Sequence, residues 1–291
     1  MHVPVLASEV LEWLAPRPAG VYVDATYGRG GHSADILAGL GPAGKLLAID
    51  RDPRARDDAE RLAGDARFEF VHAPFSQLGA CLAVRDLVGR VAGLLFDLGV
   101  SSPQLEDSTR GFSFEHEGPL DMRMDPGVGP SVAEWLARAP EQEIADVIFR
   151  YGEERYSRRI ARAIAARRRE HALATTTELA QLIARAVPRR GRLHPATRSF
   201  QALRIHINAE LEELRTALAA SPELLAPGGR LLVISFHSLE DRIVKHFMRD
   251  AAHAEPPRLK LVTRLLRPTL EETARNPRAR SARLRVAERP A

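Results

Sequence analysis

The sequence has almost no cysteine and lacks a long apolar run. Cys81 is the only cysteine in 291 residues, which excludes an internal disulfide and any zinc site built from several cysteines. No stretch reaches the roughly 20 apolar residues that a membrane-spanning helix needs. The first 13 residues contain His2, Glu9 and Glu12 where a signal peptide has a basic start and an apolar segment. These absences predict a soluble, cytoplasmic protein with no membrane partner.

Lysine is also nearly absent, so arginine carries almost all of the positive charge. Of 42 basic residues 3 are lysines, which leaves 39 arginines in a chain of formal net charge +4. Arginine binds phosphate in a bidentate manner and stacks on bases. The arginines concentrate at residues 158–169, residues 189–192 and the tail 256–291. By themselves such runs are more often solvated faces than binding sites.

A glycine-rich turn between two acid-terminated strands indicates a cofactor site. The predicted strand Val21–Asp24 leads to the turn Gly28–Gly31, and a helix begins near Ser33. Glycines let the backbone approach a ligand, and a helix N-terminus offers unpaired N–H groups. A second predicted strand, Lys45–Asp50, ends 20 residues after Gly30. At that spacing an acid can accept hydrogen bonds from ribose hydroxyls.

The identity of this cofactor depends on the residues around the turn. The pattern Gly28-x-Gly30-x-x-Ser33 is close to a dinucleotide fingerprint, so a nicotinamide-dependent oxidoreductase is one alternative. Two features favour S-adenosylmethionine. Asp24 would repel a pyrophosphate but attract a sulfonium or an ammonium group. In addition, residues 25–27 separate the strand from the glycine turn, whereas a dinucleotide turn usually follows its strand at once.

Periodicity predicts a Rossmann-like α/β sheet that carries an all-helical insert. Strands and helices alternate over residues 21–99, which is typical of a parallel sheet, and the fourth strand, Val91–Phe96, ends at Asp97. Consecutive helices without strands are predicted at 131–139, 141–151, 153–169 and 175–187, with Gly152 ending the second. The expected division is a core of 1–105 and 194–291 around an insert of 106–193.

The last part of the sequence predicts the rest of the core. An apolar stripe predicts one long helix from Phe200 to Leu218, and residues 230–236 predict a fifth strand. Ser238 and Asp241 are predicted to cap the helix 239–248. Residues 259–265 and 282–287 suit a closing antiparallel pair, and Asn276–Arg280 suits a loop.

Long motifs spread over the chain are shared with one known family. They are His2-x-Pro4-Val5-Leu6 with Glu9-Val10, Gly30-Gly31-His32, Ala48–Pro53, Asp97–Leu105, Arg110–Phe114, Gly118–Asp125, Tyr151–Glu154, His194–Arg204 and Ser235–Arg242. With these motifs the chain resembles the MraW family, bacterial methyltransferases of the exocyclic N4 of a cytidine in 16S ribosomal RNA. The resemblance implies a class I methyltransferase fold, S-adenosylmethionine as cofactor, the small ribosomal subunit as partner, and in-line transfer without a covalent intermediate. In that context the three arginine clusters become predicted RNA contacts.

The resemblance and the motifs together give the candidate site residues. Cofactor binding is expected at Gly30, Gly31, His32, Asp50, Phe75, Asp97 and Gln104. Catalysis is expected at Asp97, Ser102, Pro103 and His237. Substrate binding is expected at Arg110, Phe112, Phe114, Asp121, Arg123, Arg198, Arg204 and Phe236. No metal site is expected, because the His and acidic residues show no clean ligand spacing.

One departure and several alternatives remain open at this point. DNA amino-methyltransferases usually place an aromatic residue after their fourth strand, and the run Asp97–Pro103 has none. The ring that stacks on the target base is therefore expected elsewhere, with Phe112, Phe114 and Phe236 as candidates. A methyltransferase of small molecules or proteins, with the insert as a lid, is the runner-up function. A non-catalytic RNA-binding role is the least favoured, and the chain could be a monomer or a homodimer.

Overall fold

Seven strands form one sheet in the computed structural model, which describes residues 4–188 and 194–291. The strands are β1 (Val21–Asp24), β2 (Lys45–Asp50), β3 (Phe68–His72), β4 (Val91–Asp97), β5 (Leu225–Ser235), β6 (Lys260–Leu261) and β7 (Arg283–Glu288). Their order is β3-β2-β1-β4-β5-β7-β6. Strands β1–β5 are parallel, and β7 runs antiparallel to both of its neighbours. The prediction of a Rossmann-like class I methyltransferase sheet is confirmed.

The helices follow the alternation in the first part of the chain and then succeed one another. They are α1 (Ala7–Leu14), α2 (Gly31–Ala38), α3 (Ala55–Ala59), α4 (Leu78–Ala83), α5 (Ser102–Glu106), α6 (Val132–Arg138), α7 (Glu141–Gly152), α8 (Ser157–Glu170), α9 (Thr176–Ala186), α10 (Thr197–Ile207), α11 (Glu210–Leu224), α12 (Ser238–Ala252) and α13 (Leu270–Arg275). Short 3-10 turns cover Phe75–Gln77, Ser108–Arg110 and Pro277–Ser281. In the described ranges, no helix is both long and apolar enough to cross a bilayer. His2 and the predicted basic cluster of Arg189, Arg190 and Arg192 lie outside the described residues.

The chain divides into two compact units. Unit 1 is Met1–Gly99 with Leu211–Ala291, and unit 2 is Val100–Glu210. In unit 1 the side chains of β4 are buried from Val91 to Phe96, because apolar clusters cover both faces of the sheet. A central parallel strand covered on both faces is expected to be continuously apolar. The acid that ends each such strand is therefore the first side chain that can serve a site.

Unit 2 has its own core, formed by helices α6 to α10. The second boundary thus lies at 210/211 and not at the predicted 193/194, because α10 packs on α7 inside this unit. Gly152 explains the close packing, since a Cβ there would lie 2.5 Å from the carbonyl oxygen of Arg198. Gly152 is the last residue of α7 and not its cap. The capping position is Glu153, at φ 50°.

The prediction of one helix from Phe200 to Leu218 is wrong. Helix α10 ends at Ile207, and Ala209 has φ 49° before α11 begins. The side chain of Asn208 fixes the break: its Nδ2 donates to the carbonyl oxygens of Met122 (2.8 Å) and Arg204 (2.9 Å). Its Oδ1 accepts a hydrogen bond from the N–H of Met124 at 2.7 Å. These contacts within unit 2 interrupt an apolar stripe that by itself continues through the break.

The end of the chain completes the sheet. The closing antiparallel pair is confirmed, although β6 contains only Lys260 and Leu261. Strand β5 begins at Leu225, earlier than predicted, with a register shift against β4. The segment Asn276–Arg280 is not an open loop, since most of it lies in a 3-10 turn. The N-cap of α12 is His237, and not Ser238 as predicted.

Candidate active site

Three carboxylates end three neighbouring strands of unit 1. Asp24, Asp50 and Asp97 are the last residues of β1, β2 and β4, and β1 lies between the other two strands. The carboxyl ends of adjacent parallel strands meet at one edge of the sheet, where open α/β folds bind ligands. Backbone bonds extend the edge, with the N–H of Ala25 donating to Leu95 and that of Tyr27 to Ile49, both at 2.9 Å. The edge therefore concentrates negative charge at the position expected for a cofactor.

Asp24 acts as an internal anchor of this edge. It is 1% exposed, and its Oδ2 accepts a hydrogen bond from the Ser33 hydroxyl at 2.7 Å. Its Oδ1 accepts from the N–H of Thr26 at 3.2 Å. Burial raises the pKa of Asp24 to about 6, although these two donors act to lower it. Asp24 thus ties the start of α2 to the turn after β1 and does not face a ligand directly.

Asp50 is positioned by two backbone N–H groups. The N–H of Gly28 donates to its Oδ2 at 2.7 Å, and the N–H of Asp52 donates to its Oδ1 at 2.8 Å. Burial raises the pKa of Asp50 to about 6 against the effect of these donors. A carboxylate has about four acceptor positions, so each oxygen retains one. That arrangement fits the pair of hydroxyls on a ribose.

Asp97 is the least satisfied of the three acids. Its backbone N–H donates to the Thr26 hydroxyl oxygen at 2.6 Å. Its Oδ2 lies 3.6 Å from Nε2 of His32, and its buried Oδ1 has no hydrogen-bond partner in the described part of the chain. Burial, followed by the charges of Asp24 and Glu240, raises the pKa of Asp97 to about 8. An acceptor oxygen without a donor is a candidate for binding an N–H group or a cation.

The glycine turn brings backbone close to this edge. Gly30 is the N-cap of α2 at φ 74°, and a Cβ there would lie 2.4 Å from the Tyr27 hydroxyl oxygen. A Cβ on Gly31 would lie 3.2 Å from the Pro4 ring. No side chain caps α2, so its first N–H groups keep the capacity to bind a ligand. A larger residue at Gly30 would be strained by its positive φ and would force the Tyr27 ring to move.

The two predicted ring residues near the cofactor are both held in place. His32 is 6% exposed, and burial lowers its pKa to about 4, outweighing a backbone hydrogen bond with Val5. Its imidazole is therefore neutral at physiological pH. Phe75 is half-buried and contacts Phe96 edge-on, with ring centroids 5.7 Å apart. It keeps part of its surface available, as a ring that packs on adenine must.

At the end of β5, His237 and Glu240 form a closed capping pair. Oε2 of Glu240 accepts from the N–H groups of Phe236 (2.8 Å) and His237 (3.2 Å). Oε1 of Glu240 lies 3.0 Å from Nε2 of His237. The capping box fixes the orientation of the imidazole, which the sequence assigned to catalysis. Phe236 is half-buried beside it.

Several predicted site residues belong to unit 2 and have structural partners there. Gln104 accepts from the N–H of Ser101 at 2.9 Å in the capping box that begins α5, which also contains Ser102 and Pro103. Arg110 is 5% exposed and donates to the carbonyl oxygens of Arg123 (3.1 Å) and Met124 (2.8 Å). These bonds favour structural roles for Gln104 and Arg110.

The other substrate candidates of unit 2 divide into residues with structural partners and residues with an open surface. Phe112 is 6% exposed in the core, and Arg204 forms a bidentate pair with Glu210 at 2.8 Å for both bonds. Asp121 is paired with Arg123 at 2.8 Å. Arg198 is exposed, and Phe114 is half-buried against His194 and Phe200. Arg198, which forms no ion pair in the described residues, and Phe114 keep a surface suited to substrate.

Sequence reasoning missed Thr26 and Ser33, the two residues that organise the acids. Their signal is present in the sequence, because Thr26 follows Asp24 by two residues and Ser33 lies in the first turn of α2. An Asp side chain commonly accepts a hydrogen bond from the backbone N–H two residues later, as Asp24 does from Thr26. The link from Thr26 to Asp97 spans two strands, which periodicity alone does not reveal.

One family model matches nearly the whole chain. The family model described as the MraW methylase family matches residues 1–290. Among solved structures, a putative rRNA methylase from Clostridium thermocellum is similar, with 11% identity, TM-score 0.48, and 100% of this chain and 99% of that chain covered. An rRNA methylase from Streptococcus thermophilus shows 12% identity and TM-score 0.48 with both chains fully covered. The cofactor of this chain is S-adenosylmethionine, and the acid edge and glycine turn fit it.

Proposed function

This chain belongs to the MraW methylase family, and from that premise we propose that it methylates the exocyclic N4 of one cytidine in 16S ribosomal RNA of the small subunit. The methyl group passes in line to the amine, without a covalent enzyme intermediate. The observation that carries the proposal is the buried Oδ1 of Asp97, which has no donor in the described residues. An exocyclic amine offers the N–H group that this oxygen lacks.

The chemistry explains why an acceptor is needed. The lone pair of the cytosine amine is delocalised into the ring, so the amine is a poor nucleophile. Accepting hydrogen bonds from the amine protons turns that lone pair toward the methyl group, and fixing the geometry lowers the barrier by about 7–11 kcal/mol. When bound, S-adenosylmethionine supplies an electrophilic methyl group on a positively charged sulfonium. We assign the acceptor role to Asp97, and the positioning of the target base to Ser102, Pro103 and His237.

The raised pKa of Asp97 is consistent with this role. Without a ligand, burial and the charges of Asp24 and Glu240 raise the pKa of Asp97 to about 8, so the group is largely protonated at neutral pH. A cation near a carboxyl group favours the charged form. A sulfonium held beside Asp97 would favour its carboxylate form, which accepts N–H groups better.

The single thiol supports transfer without a covalent intermediate. Cys81 packs in the apolar cluster that contains Leu78 and Leu82. Burial raises the pKa of the Cys81 thiol, so little of the nucleophilic thiolate is present at neutral pH. Attack of a thiolate on the pyrimidine ring, as in C5 methylation of cytosine, therefore has no candidate residue in this chain.

The test uses small ribosomal subunits purified from cells that lack the gene. They are incubated with the protein and methyl-labelled S-adenosylmethionine, and the modified nucleoside is mapped by mass spectrometry. We expect N4-methylcytidine at a single position, lost with Asp97→Ala and retained with Asp86→Asn, a control at a side chain that is 87% exposed. Absence of label on RNA, despite measurable cofactor binding, would contradict the proposal and favour small-molecule or protein acceptors.

A further inference from the structure

A polar pocket opens beside the end of β5 in unit 1. Its volume is about 140 Å³, and its lining includes Phe236, Ser238, Arg267, Arg280, Ser281 and Arg283. A water molecule takes up about 30 Å³ of liquid, so the pocket has room for a small polyatomic group with some of its hydration. Its arginines belong to the tail cluster 256–291, which was predicted only in general terms to contact RNA.

The charge in this pocket is only partly compensated. Arg283 donates to Oδ2 of Asp241 at 2.8 Å, and Arg285 donates to Oδ1 of the same carboxylate at 2.7 Å. One acid thus faces two arginines, and although burial acts to raise the pKa of Asp241, these donors keep it below its usual range. Arg267 and Arg280 are exposed and have no ion pair within the described residues. The pocket therefore carries an excess of positive charge.

The remaining lining groups are suited to an anion with several oxygens. Ser238 and Ser281 supply hydroxyl groups, and Ser238 begins the 15-residue helix α12, whose N-terminus is the positive end of its dipole. Glu240, two residues after Ser238, is 2% exposed. Its Oε2 accepts hydrogen bonds from the N–H groups of Phe236 and His237, so this oxygen is already occupied. Guanidinium forks bind phosphate oxygens in a bidentate manner.

We propose that this pocket binds one backbone phosphate of the substrate RNA, held by Arg267 and Arg280. The inference rests on the proposed function, because it takes RNA to be the substrate. It adds an anchor that positions the nucleotide chain beside Phe236, one of the rings predicted to contact the target base. Arg283 supports the pocket through its bond with Asp241.

The experiment compares two double variants of equal charge. Arg267→Gln/Arg280→Gln removes the proposed anchor. Arg90→Gln/Arg249→Gln removes two exposed arginines elsewhere, paired with Asp86 and Asp250. Arg249 lies 11 residues beyond Ser238 in α12, which places it roughly 16 Å away along the helix. Binding to transcribed 16S rRNA is measured over a range of salt concentrations, with methylation kinetics on small subunits alongside.

The expected result is specific to the pocket. The anchor variant binds RNA about tenfold more weakly than the control variant, and the slope of log affinity against log salt falls by about one, as for one lost phosphate contact. KM for the subunits rises while kcat stays within about twofold, because a phosphate contact away from the reacting atoms stabilises the bound substrate and the transition state equally. Inorganic phosphate, replacing chloride at constant ionic strength, competes with RNA for the wild type more than for the anchor variant.

The outcomes separate the two proposals. Equal RNA affinity and salt slope in both variants would overturn the phosphate pocket, even if the wild type methylates one cytidine. Equal competition by inorganic phosphate would overturn it as well. If the wild type neither binds nor labels 16S rRNA, the proposed function fails and the pocket proposal fails with it. Melting temperatures check that both variants fold. They should match that of the wild type, since exposed arginines contribute little to stability.

Discussion

The strand-end acids of unit 1 and two acids of unit 2 are in opposite electrostatic states. In unit 1, burial raises the pKa of Asp24 and Asp50 to about 6 and that of Asp97 to about 8. In unit 2, the pKa of Glu178 lies below its usual range because it accepts from the N–H groups of Ala174 and Thr175. The pKa of Asp121 is also lowered, because Arg123 outweighs the effect of burial. Acids at the strand ends of unit 1 therefore serve a different purpose from Glu178 and Asp121 in unit 2.

The difference lies in what each acid has as a partner. In unit 2, Glu178 caps a helix and Asp121 pairs with Arg123, so the fold itself stabilises their charge. Asp24 and Asp50 accept only from neutral N–H and O–H groups, and Oδ1 of Asp97 has no partner in the described ranges. Acids that a fold leaves without counter-charge are typical of ligand sites. A cationic cofactor supplies what the strand ends lack.

The largest effect is expected for the pH dependence of catalysis. With a free-enzyme pKa of about 8 for Asp97, kcat/KM rises about tenfold from pH 7 to pH 9, because kcat/KM reports groups of the free enzyme. At saturating cofactor the rise moves to lower pH. Asp97→Asn reduces kcat by about 100-fold or more and abolishes the rise. The measurement is a pH–rate profile with the wild type, Asp97→Asn and the control Asp86→Asn.

A flat profile for the wild type between pH 6 and pH 9 would contradict the assigned state of Asp97. Retention of the rise in Asp97→Asn would assign it to another group. In either case the contrast between the acids of the two units would no longer explain where the chemistry occurs.

The next largest effect is expected for the buried ion pair of unit 2. The side chains of Arg204 and Glu210 are 15% and 8% exposed, so removing one partner leaves a charge without compensation. Arg204→Met is expected to destabilise unit 2 by about 3 kcal/mol. The double variant Arg204→Met/Glu210→Met is expected to recover most of that loss. Urea unfolding measures both.

The two tryptophans allow the unfolding of each unit to be followed separately. Trp13 lies in unit 1 and Trp135 in unit 2, so a Trp13→Phe background reports unit 2 by fluorescence. If Arg204→Met leaves stability unchanged but raises KM for RNA, the predicted substrate role of Arg204 holds and its structural role does not.

A smaller effect is expected for the pH dependence of stability in unit 1. Unfolded Asp has a pKa near 4, so between about pH 4 and pH 8 the native acids hold protons that the unfolded chain has released. The native state then binds more protons, and stability falls as pH rises. In a Trp135→Phe background, Asp97→Asn is expected to match the wild type at pH 5. At pH 9 it should be more stable by roughly 2 kcal/mol, since solvent screens a side chain that is 26% exposed.

Equal stability of Asp97→Asn and the wild type at pH 9 would contradict the cost assigned to this carboxylate. Asp86→Asn is the control, because its exposed side chain should not change the slope. Addition of S-adenosylmethionine should reduce the difference at pH 9, since the cofactor binds the native state.

How much of the fold and of the site the sequence predicts depends on how far apart in the sequence the contacting residues lie. The acids at the ends of β1, β2 and β4 are visible in the sequence, because each follows an apolar run that only a buried strand explains. The break at Ala209 is not visible, because Asn208 fixes it through Met122 and Met124, with the bond to Met124 spanning 84 positions. Arg110 resembled a substrate contact for the same reason, since its carbonyl partners are 13 and 14 positions away.

The smallest effect is expected for a helix cap of unit 2. The Thr175 hydroxyl accepts from the N–H of Glu178 at 3.3 Å, and the N–H of Thr175 donates to the Glu178 carboxylate at 3.1 Å. Thr175→Ala is expected to destabilise unit 2 by about 1 kcal/mol, the usual cost of losing an N-cap, with no change in cofactor affinity. Single-tryptophan unfolding gives the first quantity and titration calorimetry the second. Thr216→Ala, in α11 of unit 1, is the matched control, since its hydroxyl only donates to Glu212 within the helix. A loss of cofactor affinity in Thr175→Ala would contradict this expectation. It would show that the cap formed by Thr175 and Glu178 does more than stabilise unit 2.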